Sequence, residues 1–177
     1  MDYRATTILA VKKDGKTVMV ADGQVTLGQS IIAKTTAHKL RRIYNNKVIV
    51  GFAGAAGFAV LLSEEFEKCL NKFSGSLLRA SVEFAKNVRT MPRGSNEDVS
   101  MMVADKDNLL VLSSNGEILE PDNNVYSIGS GSPYALAAAK ALLRNTDMDA
   151  RQVAGEAMKI ASETCVYTNS NYTYEEI

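Results

Sequence analysis

The 177-residue chain carries 20 basic and 20 acidic side chains, so its net charge is zero and favours neither nucleic acid nor an anionic membrane as partner. Its 46% hydrophobic and 23% charged residues suit one globular domain with a sizeable core, and no apolar run approaches the ~20 residues of a membrane span. The single histidine, His38, cannot supply a histidine-rich zinc site or an obvious Ser–His pair. The two cysteines, Cys69 and Cys165, make no CxxC, which argues against a disulfide framework and for a reducing compartment.

The chain opens on Met1-Asp2-Tyr3-Arg4-Ala5, a head too short to close a core and lacking the apolar run of a secretory signal. Two threonines, Thr6 and Thr7, then lead into a strand over residues 8–11. Asp14-Gly15 is a hairpin signal, and residues 17–21 read as the partner strand. Asp22-Gly23-Gln24 breaks it. Short extended pieces follow at 25–27, 30–33 and 39–43, and Asn45-Asn46 turns into a strongly apolar strand over 47–53. Apolar residues at 58, 62, 66, 69, 70 and 73 recur at the helical period. Ser76 is placed to cap a second helix to about Val88, and Pro92, Gly94, Ser95 and Asn96 mark a surface loop. Strands are predicted over 99–105, 109–113, 117–119 and 125–128. An alanine-rich helix follows, with Pro133 in its first turn and its end near Arg144. Asp147 or Asp149 can cap a last helix, and residues 166–168 and 172–177 read as two final strands. Helices thus come in pairs between blocks of hairpin-linked strands. That order argues for two antiparallel sheets face to face with helix pairs outside, an α+β architecture rather than a doubly wound parallel sheet.

A threonine at the head of a strand, behind a disposable leader, suggests one chemistry. Cleavage of the Ala5–Thr6 bond would give Thr6 both a hydroxyl and a free α-amine, and an α-amine titrating near ~8 can serve as base for its own hydroxyl. Four further features could converge there. Asp22 ends the strand paired with the one that Thr6 opens, although Asp-Gly is also an ordinary turn. Lys39 would supply a cation beside the nucleophile, or belong to a solvated basic face with Arg41 and Arg42. Gly51-Phe52-Ala53-Gly54 ends a buried strand, where the Gly54 N–H is the best candidate oxyanion donor; a plain turn is the other reading. Gly129-Ser130-Gly131-Ser132 could hold the Thr6 amine through Ser130, cradle a phosphate, or merely turn the chain.

Taken together, these stretches closely resemble the HslV (ClpQ) family, the proteasome-like peptidases of the HslUV ATP-dependent protease. The resemblance is carried by Ala5-Thr6-Thr7-Ile8, Ala21-Asp22-Gly23-Gln24-Val25-Thr26-Leu27-Gly28, Lys39-Leu40-Arg41-Arg42, Gly51-Phe52-Ala53-Gly54, Ile128-Gly129-Ser130-Gly131 with Pro133-Tyr134, and Cys165-Val166-Tyr167-Thr168-Asn169. It spans nearly the whole chain in order. It implies the four-layer αββα sandwich of N-terminal nucleophile hydrolases, with residues 1–5 a short propeptide and 6–177 a single peptidase domain. It implies Thr6 as nucleophile and amine base, Asp22 and Lys39 as charge-tuning residues, and Ser130 orienting the amine. It also implies a sodium ion held by the backbone carbonyls of Ser162, Cys165 and Thr168, with Ser162 where the family commonly has glycine. Two stacked hexameric rings and a hexameric HslU-type AAA+ unfoldase are the partners implied, with unfolded polypeptides as substrates. ATP would act on that partner, since this chain carries no Walker motif. A cytoplasmic location is expected, with a mitochondrial matrix as the alternative.

Two departures stand out. Ala55-Ala56-Gly57-Phe58 lacks the acidic residue usual near that point. The run from Val88 to Asp98 replaces a usual helical continuation, and its Pro92 and Gly94 disfavour one. Two other readings stay open on the sequence: a proteasome-like peptidase with lost or altered unfoldase coupling, and a non-enzymatic phosphate- or nucleotide-binding module built on residues 129–133.

Overall fold

The computed structural model describes residues 3–4, 6–92 and 98–177. Met1, Asp2 and Ala5 of the head, and residues 93–97 of the departing loop, lie outside the described residues.

The described residues form three antiparallel sheets. The first pairs β11 (Val125–Gly129), β2 (Thr7–Lys13), β3 (Lys16–Asp22) and β12 (Tyr172–Glu176), in that order. The second runs β10 (Ile118–Leu119), β9 (Leu109–Ser113), β8 (Val99–Ala104), β7 (Val48–Gly54) and β6 (Leu40–Ile43). A small third sheet holds β1 (Tyr3–Arg4), β4 (Val25–Leu27) and β5 (Ile31–Lys34). The β2–β3 hairpin turns through Asp14 and Gly15, at φ 52° and 77°. Two positive φ angles are what a tight turn needs to match the twist of the strands it joins.

The side chains of β2 sort the layers. Ile8 and Ala10 face the second sheet, in a core shared with Met19, Ala21, Leu40, Ile49, Ala53 and Met102. Leu9 and Val11 face the other way, under α3 (Ser132–Asn145) and α4 (Ala150–Thr164), against Ala135, Ala139, Val153, Ala157 and Met158. Both faces of β2 are therefore buried, which is why it reads as an unbroken apolar run. The second sheet is covered outside by α1 (Ala56–Lys72) and α2 (Leu77–Val88), through Phe58, Leu62, Phe66, Leu70, Leu77 and Phe84. The result is helices, sheet, sheet, helices: the αββα order expected from the paired helices.

Local signals account for the helix limits. Asp149, rather than Asp147, caps α4 in a reciprocal box: its carboxylate accepts the Gln152 N–H at 2.8 Å and the Gln152 side chain accepts the Asp149 N–H at 3.0 Å. Ser76 occupies the position before α2, but its side chain makes no capping bond. Residues 166–168 form no strand. The Thr168 N–H closes a turn onto the Cys165 carbonyl at 3.0 Å, and β12 begins only at Tyr172. The β-branched and aromatic residues there are placed by the polar contacts of Thr168 and its neighbour rather than by a ladder.

Phe66 lies fully buried, its ring edge-on to Phe84 with centroids 5.4 Å apart. Phe66→Ala is expected to lower unfolding free energy by about 3–5 kcal/mol, read from the midpoint of a urea titration.

Candidate active site

The site forms at one end of both sheets, where β2 begins, β3 ends, β6 begins and β11 ends. Its centre is the Asp22 carboxylate, which has no exposed surface. Thr7 pairs across the sheet with Gly129 on one side, and its N–H donates to Asp22 Oδ1 at 2.8 Å on the other. Lys39 Nζ donates to the same Oδ1 at 2.7 Å. Oδ2 accepts the Gln24 N–H at 2.9 Å and the Asn169 N–H at 3.3 Å. Four donors, one of them cationic, replace the water that a carboxylate without exposed surface lacks. The Asp-Gly turn and the solvated basic face considered for Asp22 and Lys39 both give way to this ion pair. Lys39 is itself buried, and that burial pulls its pKa below the usual lysine value while Asp22 pushes it back up.

Thr6 precedes β2 and is 8% exposed. Strand alternation puts it on the face of Ile8 and Ala10, toward the space between the sheets, and puts Thr7 on the opposite face. Its carbonyl accepts the Ser130 N–H at 2.8 Å, extending the β11–β2 pairing by one residue. That approach requires Gly129: its φ is 94°, and a Cβ there would lie 1.8 Å from the Thr6 oxygen. Ser130 is thus brought to Thr6 by its backbone. Its neighbour Gly131 donates its N–H to Thr7 Oγ1 at 2.9 Å. With the N–H groups of Ser130 and Gly131 turned onto Thr6 and Thr7, this loop no longer has the geometry of a phosphate cradle.

Gly54 ends β7 opposite Val99 at φ 127°, a conformation closed to residues with a Cβ; one there would lie 2.2 Å from the Asp98 carbonyl. Beside it a cavity of about 270 Å³ is lined by Ala53, Val99, Ser100, Ser114 and Glu117, among others. A larger cavity of about 530 Å³ lies at the other end of the second sheet, near Tyr44 and Asp105, and holds none of these residues.

The residue reasoning missed the hydroxyl of Thr168. Thr7 Oγ1 and Thr168 Oγ1 lie 2.6 Å apart, both buried, so the second threonine of the Thr6-Thr7 pair is a fastening point rather than a spare strand residue. The signal was a buried polar residue alternating onto the apolar face of β2. Ser162, in the last turn of α4, donates its hydroxyl to the Lys159 carbonyl and meets the Tyr172 hydroxyl at 2.9 Å. Ser162, Cys165 and Thr168 follow one another through the end of that helix and the turn after it, so their carbonyls fall in one short stretch.

A family model of proteasome subunits matches residues 3–177. The ATP-dependent protease subunit HslV of Pseudothermotoga lettingae is 49% identical over 177 residues, all of both chains. That of a Sulfurihydrogenibium species is 52% identical over 174 residues, covering 98% of this chain and 97% of the relative. The crystal structure of eukaryotic HslV from Trypanosoma brucei matches with a TM-score of 0.90 at 38% identity, over 96% of this chain and 98% of that one. Thiobacillus denitrificans BPH, 21% identical with a TM-score of 0.74, shares the fold.

Lys39→Met removes the cation from a carboxylate that stays buried. Stability is expected to fall by about 3–5 kcal/mol, with the protein still folded on the three remaining N–H donors; chemical denaturation followed by circular dichroism checks it.

Proposed function

The chain belongs to the HslV group of the proteasome-subunit family and is a threonine peptidase of the N-terminal-nucleophile class; from that premise we propose that Thr6 attacks the peptide carbonyl, with its own α-amine as base. The observation that carries the reading is the buried Asp22–Lys39 pair, whose shared oxygen also holds the N–H of Thr7, the residue joined to Thr6. An ammonium so close to the head of β2 lowers the proton affinity of the Thr6 amine and hydroxyl.

The steps follow from those groups. The Thr6 hydroxyl gives its proton to the amine as its oxygen adds to the substrate carbonyl. The oxyanion is received by the N–H of Gly54, and the ammonium of Thr6 returns the proton to the departing amine. An ester on Thr6 remains. The amine then takes a proton from water as hydroxide adds to the ester carbonyl, and returns it to the Thr6 oxygen as the C–O bond breaks and the acid departs. Ser130, whose N–H holds the Thr6 carbonyl, orients the amine with its side chain. Lys39 works as a cation, and burial draws its pKa below 10.5. Activity dependent on it is therefore full below that lowered pKa and lost as pH rises through it, before an exposed lysine would titrate.

A sodium ion fits the donor set of Ser162, Cys165 and Thr168. These are hard carbonyl oxygens, and the last-turn carbonyls of a helix lack helical donors. Bound there, it would brace the turn that carries Thr168 and Asn169; only carbonyls are used, so serine at 162 is as good as glycine.

Before processing, the Thr6 nitrogen is an amide and no base. A water takes the Thr6 hydroxyl proton as the oxygen adds to the preceding carbonyl, the acyl group shifts to that oxygen as the protonated nitrogen departs as the free amine, and a second water hydrolyses the ester to restore the hydroxyl and release residues 1–5. Ala5, which lies outside the described residues, offers little bulk to oppose this. The mature enzyme is expected to begin at Thr6, while a Thr6→Ala variant is inactive and keeps its head. N-terminal sequencing and intact mass on both proteins decide it; active enzyme retaining residues 1–5 would sink the mechanism.

The relatives are named subunits of an ATP-dependent protease, and this chain has no Walker motif. That supports an assembly of two hexameric rings, fed with unfolded polypeptides by an HslU-type AAA+ ATPase in the cytoplasm. Val60 and Leu61 on α1, with Leu78 and Val82 on α2, are exposed apolar residues for such contacts. A second reading is altered coupling: α2 stops at Val88, and Pro92 follows where the family has a helical continuation. Ring-sized particles in sedimentation, and casein degradation that requires both the ATPase and ATP, are expected. Rings that cleave small peptides but ignore the ATPase would establish the second reading instead.

A further inference from the structure

We infer that Asn169 is a positioning residue for the reaction, setting the Asp22–Lys39 pair by joining the segments that carry its two members; the inference rests on the Thr6 peptidase reading. Three separated segments meet at this half-buried side chain. Its Oδ1 accepts the N–H of Gly23, the residue after Asp22, at 3.1 Å, and that of Asn171 at 3.1 Å. Its Nδ2 donates to the carbonyl of Thr35, in the segment leading to Lys39, at 2.9 Å. Its own N–H donates to Asp22 Oδ2 at 3.3 Å. The Ala37 N–H to Gly23 carbonyl bond, at 2.9 Å, closes the same ring of contacts.

The chemistry of the amide matches this place and no close substitute does. Two N–H groups face one end and a carbonyl faces the other, so the side chain must offer an acceptor and a donor at once. The reversed amide would set donor against donor and acceptor against acceptor, so the orientation is fixed by its partners. Aspartate would put an oxygen against the Thr35 carbonyl and a second negative charge beside Asp22. The neighbouring Thr168 holds Thr7 by its hydroxyl. The Thr168–Asn169 peptide therefore grips both the strand that Thr6 opens and the carboxylate that fixes Lys39.

The bonds of Asn169 run to Gly23, Asn171, Thr35 and Asp22, so its effect passes through Asp22 and Lys39. Among the described residues, Asp22 is a charged group that acts on Lys39 and raises its pKa. Loosening Asp22 weakens the charge and the hydrogen bond by which it raises the Lys39 pKa, and the alkaline limb of activity moves to lower pH.

The test compares processed wild type with Asn169→Ala, Asn169→Ser, Asn171→Ala and Thr6→Ala, using a small chromogenic peptide. In Asn169→Ala, kcat is expected to fall about tenfold or more with KM within about twofold, and the alkaline limb to shift down. Asn169→Ser keeps a short acceptor for Gly23 and lies between the two. Asn171→Ala loses only its own bond to Thr35 and behaves as wild type in both readouts. Thermal melts accompany each variant, and if Asn169→Ala does not fold the Ser variant carries the comparison. A lowered melting temperature with kcat and limb unchanged in the folded variants overturns the inference. An active Thr6→Ala protein overturns the peptidase reading instead, whatever Asn169 does.

Discussion

A negative charge without solvent governs this molecule. Removing the Asp22 carboxylate from water costs several kcal/mol after relaxation, and only a cation in good geometry with further hydrogen bonds offsets that. The four donors come from four parts of the chain: the start of β2, the turn after β3, the approach to β6 and the turn after α4. Each must be where it is for the carboxylate to be tolerated. The carboxylate in turn fixes each of them, so one buried charge is also the fastening of the sheet ends.

The layers make this possible through their choice of side chains. The space between the sheets is filled at Ala10, Ala21, Ala53 and Ala104 by methyl groups, and Gly51 offers none. Small residues let the two sheets approach closely enough for Lys39, ahead of β6, to reach a carboxylate at the end of β3. Strand alternation then divides the labour of two adjacent threonines. Thr6 is turned into the gap between the sheets, while Thr7 is turned toward Gly131 and Thr168 and is held there.

Most of the architecture was legible because burial imposes periods. The unbroken run of β2, the 3.6-residue stripe of α1 and the alanine stripe of α4 each report the layer that covers them. Asp14-Gly15 and Asp149 with Gln152 are local and self-sufficient, so they too could be read. What escaped depends on partners far away. Residues 166–168 have strand propensity, yet a buried hydroxyl contact to Thr7 and a bond to Asp22 next door hold them in a turn. The capping role of Ser76 failed for the converse reason: the residue type was right and the side chain went unused. Asp22 and Lys39 were visible as residues, but the pairing that gives them meaning joins positions no local pattern connects.

The distance along the chain between the contacting groups has a temporal consequence. Thr7 finds Asp22 15 residues away, Gly131 124 residues away and Thr168 161 residues away. Contacts of such long sequence separation form late, because chain closure must be met before they contribute. A partly folded chain can therefore hold Thr7 against Asp22 before Gly131 and Thr168 have reached it. The polar setting of Thr7 is complete only when segments more than a hundred residues apart have met, so topology itself times the assembly of the site.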